Sequence, residues 1–174
     1  PKNQVVCMYL RRGNNWSLAI NTNQNMLMAL YLRELSGVHP AEAGPNSRLA
    51  SNIKNRNTID DSHGQLKQEW SSWWDSLTAV APASEPEASD ALIKRLEDEG
   101  YPALARLARA HYGQATVFAQ QHAQDFAENS GKYVPHRMDE LERILIDHGV
   151  EHDMQATRQE IHLIDVPLDE PRAW

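Results

Sequence analysis

The sequence is poor in cysteine and has no long hydrophobic run. Its single cysteine, Cys7, lies in the apolar residues 5–10, and one cysteine cannot form an internal disulfide. We therefore expect Cys7 to be a small buried hydrophobe in a reducing compartment. No stretch approaches the ~20 apolar residues that cross a bilayer, and no signal-peptide pattern opens the chain. These absences predict a soluble, cytoplasmic protein.

Signatures of catalysis are also missing. The chain contains no Gly-x-Ser-x-Gly nucleophile elbow, no His-Glu-x-x-His zinc motif, no paired Cys-x-x-Cys and no glycine-rich phosphate loop. The enzyme classes that depend on these motifs are disfavoured. Whether the chain is an enzyme stays open, and the leading hypothesis is a binding or regulatory protein that recognises another macromolecule.

Negative charge dominates the composition but is unevenly distributed. The formal net charge is −7, yet residues 1–57 hold seven Lys and Arg against two Asp and Glu. Overall acidity argues against general nucleic-acid binding, because phosphate neutralisation requires a basic surface. The basic first third keeps nucleic-acid contact as an alternative, with another protein as the preferred partner. The oligomeric state is not predicted.

A long polar loop is expected at residues 38–57, which contain Pro40, Gly44 and Pro45. Loops of this length in compact domains are often functional. Together with the tip of an N-terminal hairpin, the loop supplies the candidate cations of a binding surface: Arg11, Arg12, Arg48, Lys54 and Arg56.

Three of the five tryptophans fall within residues 70–74. On a helix, Trp70, Trp73 and Trp74 lie within about 100° of one another, and Leu66 and Leu77 continue the same stripe. This periodicity predicts a helix whose aromatic face is buried in the core. Trp74 lies at the edge of the stripe and is the candidate for an aromatic partner contact.

Histidines are the only residues that suggest a metal site. His111 and His122 share the apolar stripe of a helix predicted from residue 102 to 128, but eleven residues place them ~16 Å apart along its axis. They cannot bind the same ion, so His111 would belong to a separate site. His122 and Asp125 are one helical turn apart and could share a zinc ion with a ligand from another helix. We expect no cofactor, with a divalent transition metal in a metal-assisted hydrolase as the alternative.

The predicted fold is α+β and mainly helical. About five helices would pack on a small antiparallel sheet, which an N-terminal β-hairpin and a C-terminal strand near residues 160–166 would form together. A lone strand is not stable, so the C-terminal strand is expected to pair with the hairpin. This pairing favours a single domain over residues 1–174, with a possible sub-domain boundary in the connector 80–88.

Overall fold

The structure is a computed structural model that describes residues 8–10, 16–38, 48–49, 53, 64–79, 87–147 and 159–167. These ranges contain three short strands and four helices. The strands are β1 (Met8–Leu10), β2 (Trp16–Asn21) and β3 (Gln159–Ile164). The helices are α1 (Gln24–Ser36), α2 (Gln65–Thr78), α3 (Ser89–Asp98) and α4 (Pro102–Asp147).

The three strands pair in the order β1, β2, β3. β1 runs antiparallel to β2, with Met8 opposite Ile20. β3 runs parallel to β2, from Trp16 opposite Gln159 to Asn21 opposite Ile164. The pairing extends one residue further, because the Asp165 amide donates to the Asn21 carbonyl at 2.9 Å.

The predicted fold class, α+β with about five helices packed on a small antiparallel sheet, is wrong. The described residues are mainly helical, with four helices and strands of only three to six residues. The C-terminal strand lies parallel to its neighbour instead of antiparallel. Parallel strands require a long crossover connection, and here all four helices lie between β2 and β3.

The helix predicted from residue 102 to 128 does not end there, although Asn129, Ser130 and Gly131 form a local stop signal, and the helix count is therefore lower than predicted. Helix α4 runs for 46 residues, through Gly131 and Pro135, to Asp147. The Asn129 side chain donates to the Asp125 carbonyl at 2.8 Å, so this residue is accommodated inside the helix and does not end it. Ser130 is buried. Local stop signals are weak, and this one does not end the helix.

The chain divides into two compact units. One comprises Pro1–Thr22 and Ala123–Asp165, and the other comprises Asn23–His122 and Val166–Trp174. The single-domain prediction stays a prediction, and the connector at 80–88 lies mostly outside the described residues. The buried charges and Arg48, discussed below, belong to the unit that begins at Asn23.

Helix α1 is the most deeply buried element of that unit. The Asn23 side chain caps its start by accepting the Met26 amide at 3.2 Å, and Gly37 ends it at φ 75°. Eleven of its thirteen residues are buried, including Arg33 and Glu34. A helix with so little solvated surface must compensate its charged groups inside the protein.

Helix α2 carries the tryptophan cluster. It begins at Gln65, after Gly64 at φ 66°. Asp60 or Asp61 is the N-cap that the sequence predicts for this helix, and both residues lie outside the described ranges. The periodicity correctly predicts the burial of Leu66, Trp70 and Trp73, each at 1% exposure or less. Leu77, at the end of the stripe, is only half-buried.

Helices α3 and α4 meet at a tight turn. Gly100 adopts φ 83°, which favours glycine, and Pro102 begins α4, where its missing N–H costs no helical hydrogen bond. Leu92, Ile93 and Leu96 form the buried face of α3. Within the described residues, no helix combines the length and apolarity that a membrane crossing requires.

Candidate functional site

The buried surface of α1 holds a charged group beside an aromatic ring. Arg33 is fully buried, and its guanidinium lies 5.6 Å from the centre of the Trp70 ring. A desolvated cation over an indole face is a favourable arrangement. Trp70 in turn donates its Nε1–H to the Ala29 carbonyl at 2.8 Å and stacks on Trp74, with the ring centres 5.3 Å apart.

The neighbouring carboxylate, Glu34, connects the buried arginine to Arg48 and Leu49. Its Oε1 accepts from Arg33 Nη2 at 3.1 Å and from the Leu49 amide at 3.4 Å. Its Oε2 lies 3.5 Å from Nη1 of Arg48. The Glu34 side chain is 7% exposed, whereas that of Arg48 is 59% exposed. One fixed carboxylate therefore faces a buried cation on one side and a solvated cation on the other.

Leu49 is buried on this surface. Its side chain is only 4% exposed, and its backbone amide is bound by Glu34. Burial of one leucine side chain contributes roughly 1.5–3 kcal/mol to the stability of the fold, so this contact is substantial. Arg48, which directly precedes Leu49, is thereby held at the protein surface with most of its side chain in water.

A second buried carboxylate, Glu69, connects α2 to α4. Its Oε2 accepts the Leu104 amide at 2.7 Å, and its Oε1 accepts from Gln65 Nε2 at 2.6 Å. Leu104 is the third residue of α4, so its N–H is one of the groups that an α-helix leaves unsatisfied at its start. Glu69 caps α4 from another helix, and its negative charge is favourable at that position.

Glu87 connects α1, α3 and α4 at the partly exposed edge of the unit. Its amide donates to the Asn25 side chain at 3.1 Å, and its carbonyl accepts from the Tyr112 hydroxyl at 2.6 Å. Its carboxylate accepts from Arg95, with a shortest distance of 2.7 Å. The hydrogen bonds to Glu87 raise the pKa of Arg95 above its ordinary value and outweigh the opposing effect of burial.

The residues proposed for a metal site are not brought together with further ligands. His111 and His122 are half-buried on α4, and Asp125 is exposed. Among the described residues, no three His, Cys, Asp or Glu side chains form a group that could hold a metal ion. The Nδ1 of His111 is buried and has no hydrogen-bond partner in the described part of the chain. A metal at His122 and Asp125 stays a prediction that elemental analysis of the purified protein would test.

The predicted binding surface is described at two positions only. Arg48 is exposed, as a binding residue must be. Trp74 is 5% exposed and stacks on Trp70, so little of its ring is accessible to a partner. The other four candidates lie outside the described residues: Arg11, Arg12, Lys54 and Arg56.

The buried charges Arg33, Glu34 and Glu69 were not predicted from the sequence. A signal for the first two exists, because an Arg-Glu pair interrupts a helix whose other residues leave little polar surface. Glu69 directly precedes Trp70 and lies at the edge of the aromatic stripe, where partial burial could be inferred. Its partner, the start of α4, depends on tertiary packing and could not.

Comparison of the chain with protein-family models, with curated proteins and with solved structures finds no match. The buried charges are already engaged in packing, in helix capping or in ion pairs within the chain. Arg48 differs from them, because its position is fixed while its cationic group remains accessible for binding.

Proposed function

We propose that this chain is a cytoplasmic, non-enzymatic binding protein that recognises another macromolecule through its basic segment, residues 46–57. The observation that supports the proposal is the anchoring of the segment beside Arg48. Leu49 is buried and bound to Glu34, whereas the Arg48 side chain is 59% exposed. A cation held in place in this way loses less conformational entropy on binding than one on an unanchored loop.

The charge pattern supports the same function. Residues 46–57 contain Arg48, Lys54 and Arg56 and no acidic residue, although the whole chain has a net charge of −7. A locally basic segment of an acidic protein attracts acidic partners and repels basic ones. Such complementarity increases the specificity and the rate of association more than it increases the affinity.

The test is a pull-down from the source cell with two matched variants. The first removes the basic segment's charges as R48A/K54A/R56A. The second, K94A/R106A/K132A, removes three charges from exposed positions elsewhere, so that net charge is equal in both. We expect a partner that is recovered with the wild type and the second variant but lost with the first. Equal recovery with all three proteins would contradict the proposal.

A further inference from the structure

The contact between Arg48 and Glu34 leaves most of the guanidinium available. Arginine carries five N–H donors in a planar fork, and charge-assisted hydrogen bonds to carboxylates are ~2.7–2.9 Å long. The 3.5 Å separation between Nη1 and Glu34 Oε2 is longer than that and involves one nitrogen. Glu34 thus attracts and orients Arg48 without occupying its fork.

Glu34 itself is well fixed. Its side chain is 7% exposed, and its other oxygen accepts from Arg33 and from the Leu49 amide. The position of Arg48 is therefore determined from two directions, by the buried Leu49 that follows it and by the carboxylate beside it. A planar guanidinium in a fixed orientation can donate two parallel hydrogen bonds to the two oxygens of one carboxylate.

The net charge decides between the possible anionic partners. Double-stranded DNA carries one negative charge per ~1.7 Å, and its binding depends on many phosphate contacts. A chain of net charge −7, with three cations in its basic segment, has few groups to make them. A short acidic protein segment needs only a few contacts and experiences less long-range repulsion.

We infer that Arg48 binds a carboxylate of an acidic protein segment in a bidentate manner, with Glu34 as its positioning residue. The inference rests on the proposed function and names the partner's chemistry at that site. It makes the geometry of Arg48, and not only its charge, the determinant of binding. A lysine at the same position keeps the charge but lacks the fork.

The experiment measures fluorescence anisotropy of two labelled probes, a poly-L-glutamate and an oligothymidylate of equal charge. We expect the wild type to bind poly-L-glutamate more tightly than the oligonucleotide. R48K should weaken that binding roughly fivefold, because it loses the bidentate contact. R48A loses the charge as well and should weaken the binding at least as much. R106K is the matched control at an exposed arginine of α4 and should bind as the wild type does.

The outcomes separate this inference from the function on which it rests. If R48A/K54A/R56A loses binding while R48K keeps wild-type affinity, charge alone suffices and only the bidentate contact is refuted. If the wild type prefers the oligonucleotide or does not bind poly-L-glutamate, the acidic-protein partner is refuted. If the triple variant binds either probe as the wild type does, the basic segment is not the binding surface and the proposed function fails as well.

Discussion

Two regions of the Asn23–His122 unit use charged residues in opposite ways. On the buried faces of α1 and α2, three charged residues are at least nine-tenths buried: Arg33, Glu34 and Glu69. They bind backbone amides, an aromatic ring or one another. At the corner of α3 and α4, ion pairs such as Arg109 with Glu97 lie about half in water. Buried charges must be paired to be tolerated, whereas exposed pairs gain little from pairing. Burial, and not the number of ion pairs, therefore determines where substitution is costly.

The largest effect is expected at the ring that covers the buried arginine. Trp70 is 0% exposed, donates to Ala29 and stacks on Trp74. We expect Trp70→Ala to lower the free energy of unfolding by ~3–5 kcal/mol, since it removes a fully buried indole and uncovers Arg33. Urea denaturation followed by circular dichroism measures the loss. Trp70→Phe is the control and should retain part of the stability, because it keeps the aromatic face.

The opposite result would change the interpretation of the aromatic cluster. If Trp70→Ala leaves the unfolding midpoint unchanged and abolishes partner binding, the cluster is an interaction surface and not the core. The buried and exposed regions would then differ in function and not in stability.

A smaller effect is expected at Glu69, which tests whether a buried charge stabilises through the backbone it caps. Glu69→Ala removes the acceptor of the Leu104 amide and leaves this N–H, in the first turn of α4, without its hydrogen bond. We expect a loss of about 2 kcal/mol in unfolding free energy, measured by the same denaturation. Glu69→Gln retains a carbonyl acceptor and should cost less than half as much. Equal losses in the two variants would show that the charge, and not the hydrogen bond, is what matters.

The features of this fold that depend on residues close together in the chain can be predicted from the sequence. The burial of Leu66, Trp70 and Trp73 follows from helical periodicity, which is a local pattern. The ends of α1 at Asn23 and Gly37 follow from capping chemistry. These features depend on residues only a few positions apart.

Features that depend on distant residues were mispredicted or missed. The parallel pairing of β2 with β3 joins residues separated by more than a hundred positions, and no local pattern specifies its direction. The continuation of α4 past Gly131 overrides a local stop signal. The capping of α4 by Glu69 spans 35 residues. At the candidate site, the exposed cation Arg48 could be proposed from composition, but its anchoring by Glu34 and Leu49 could not.

The smallest effect is expected at the exposed pair of α3 and α4. Arg109 Nη2 lies 2.7 Å from Glu97 Oε1, a shorter distance than between Arg48 and Glu34, yet the two side chains are 55% and 49% exposed. Water and salt screen this pair, so Arg109→Ala should change the unfolding free energy by less than about 0.5 kcal/mol. The same denaturation experiment with Glu97→Ala and with the double variant Arg109→Ala/Glu97→Ala completes a cycle that isolates the pairwise energy. A pairwise energy comparable to the loss at Glu69 would mean that distance, and not burial, controls these ion pairs, and the contrast between the two regions would not hold.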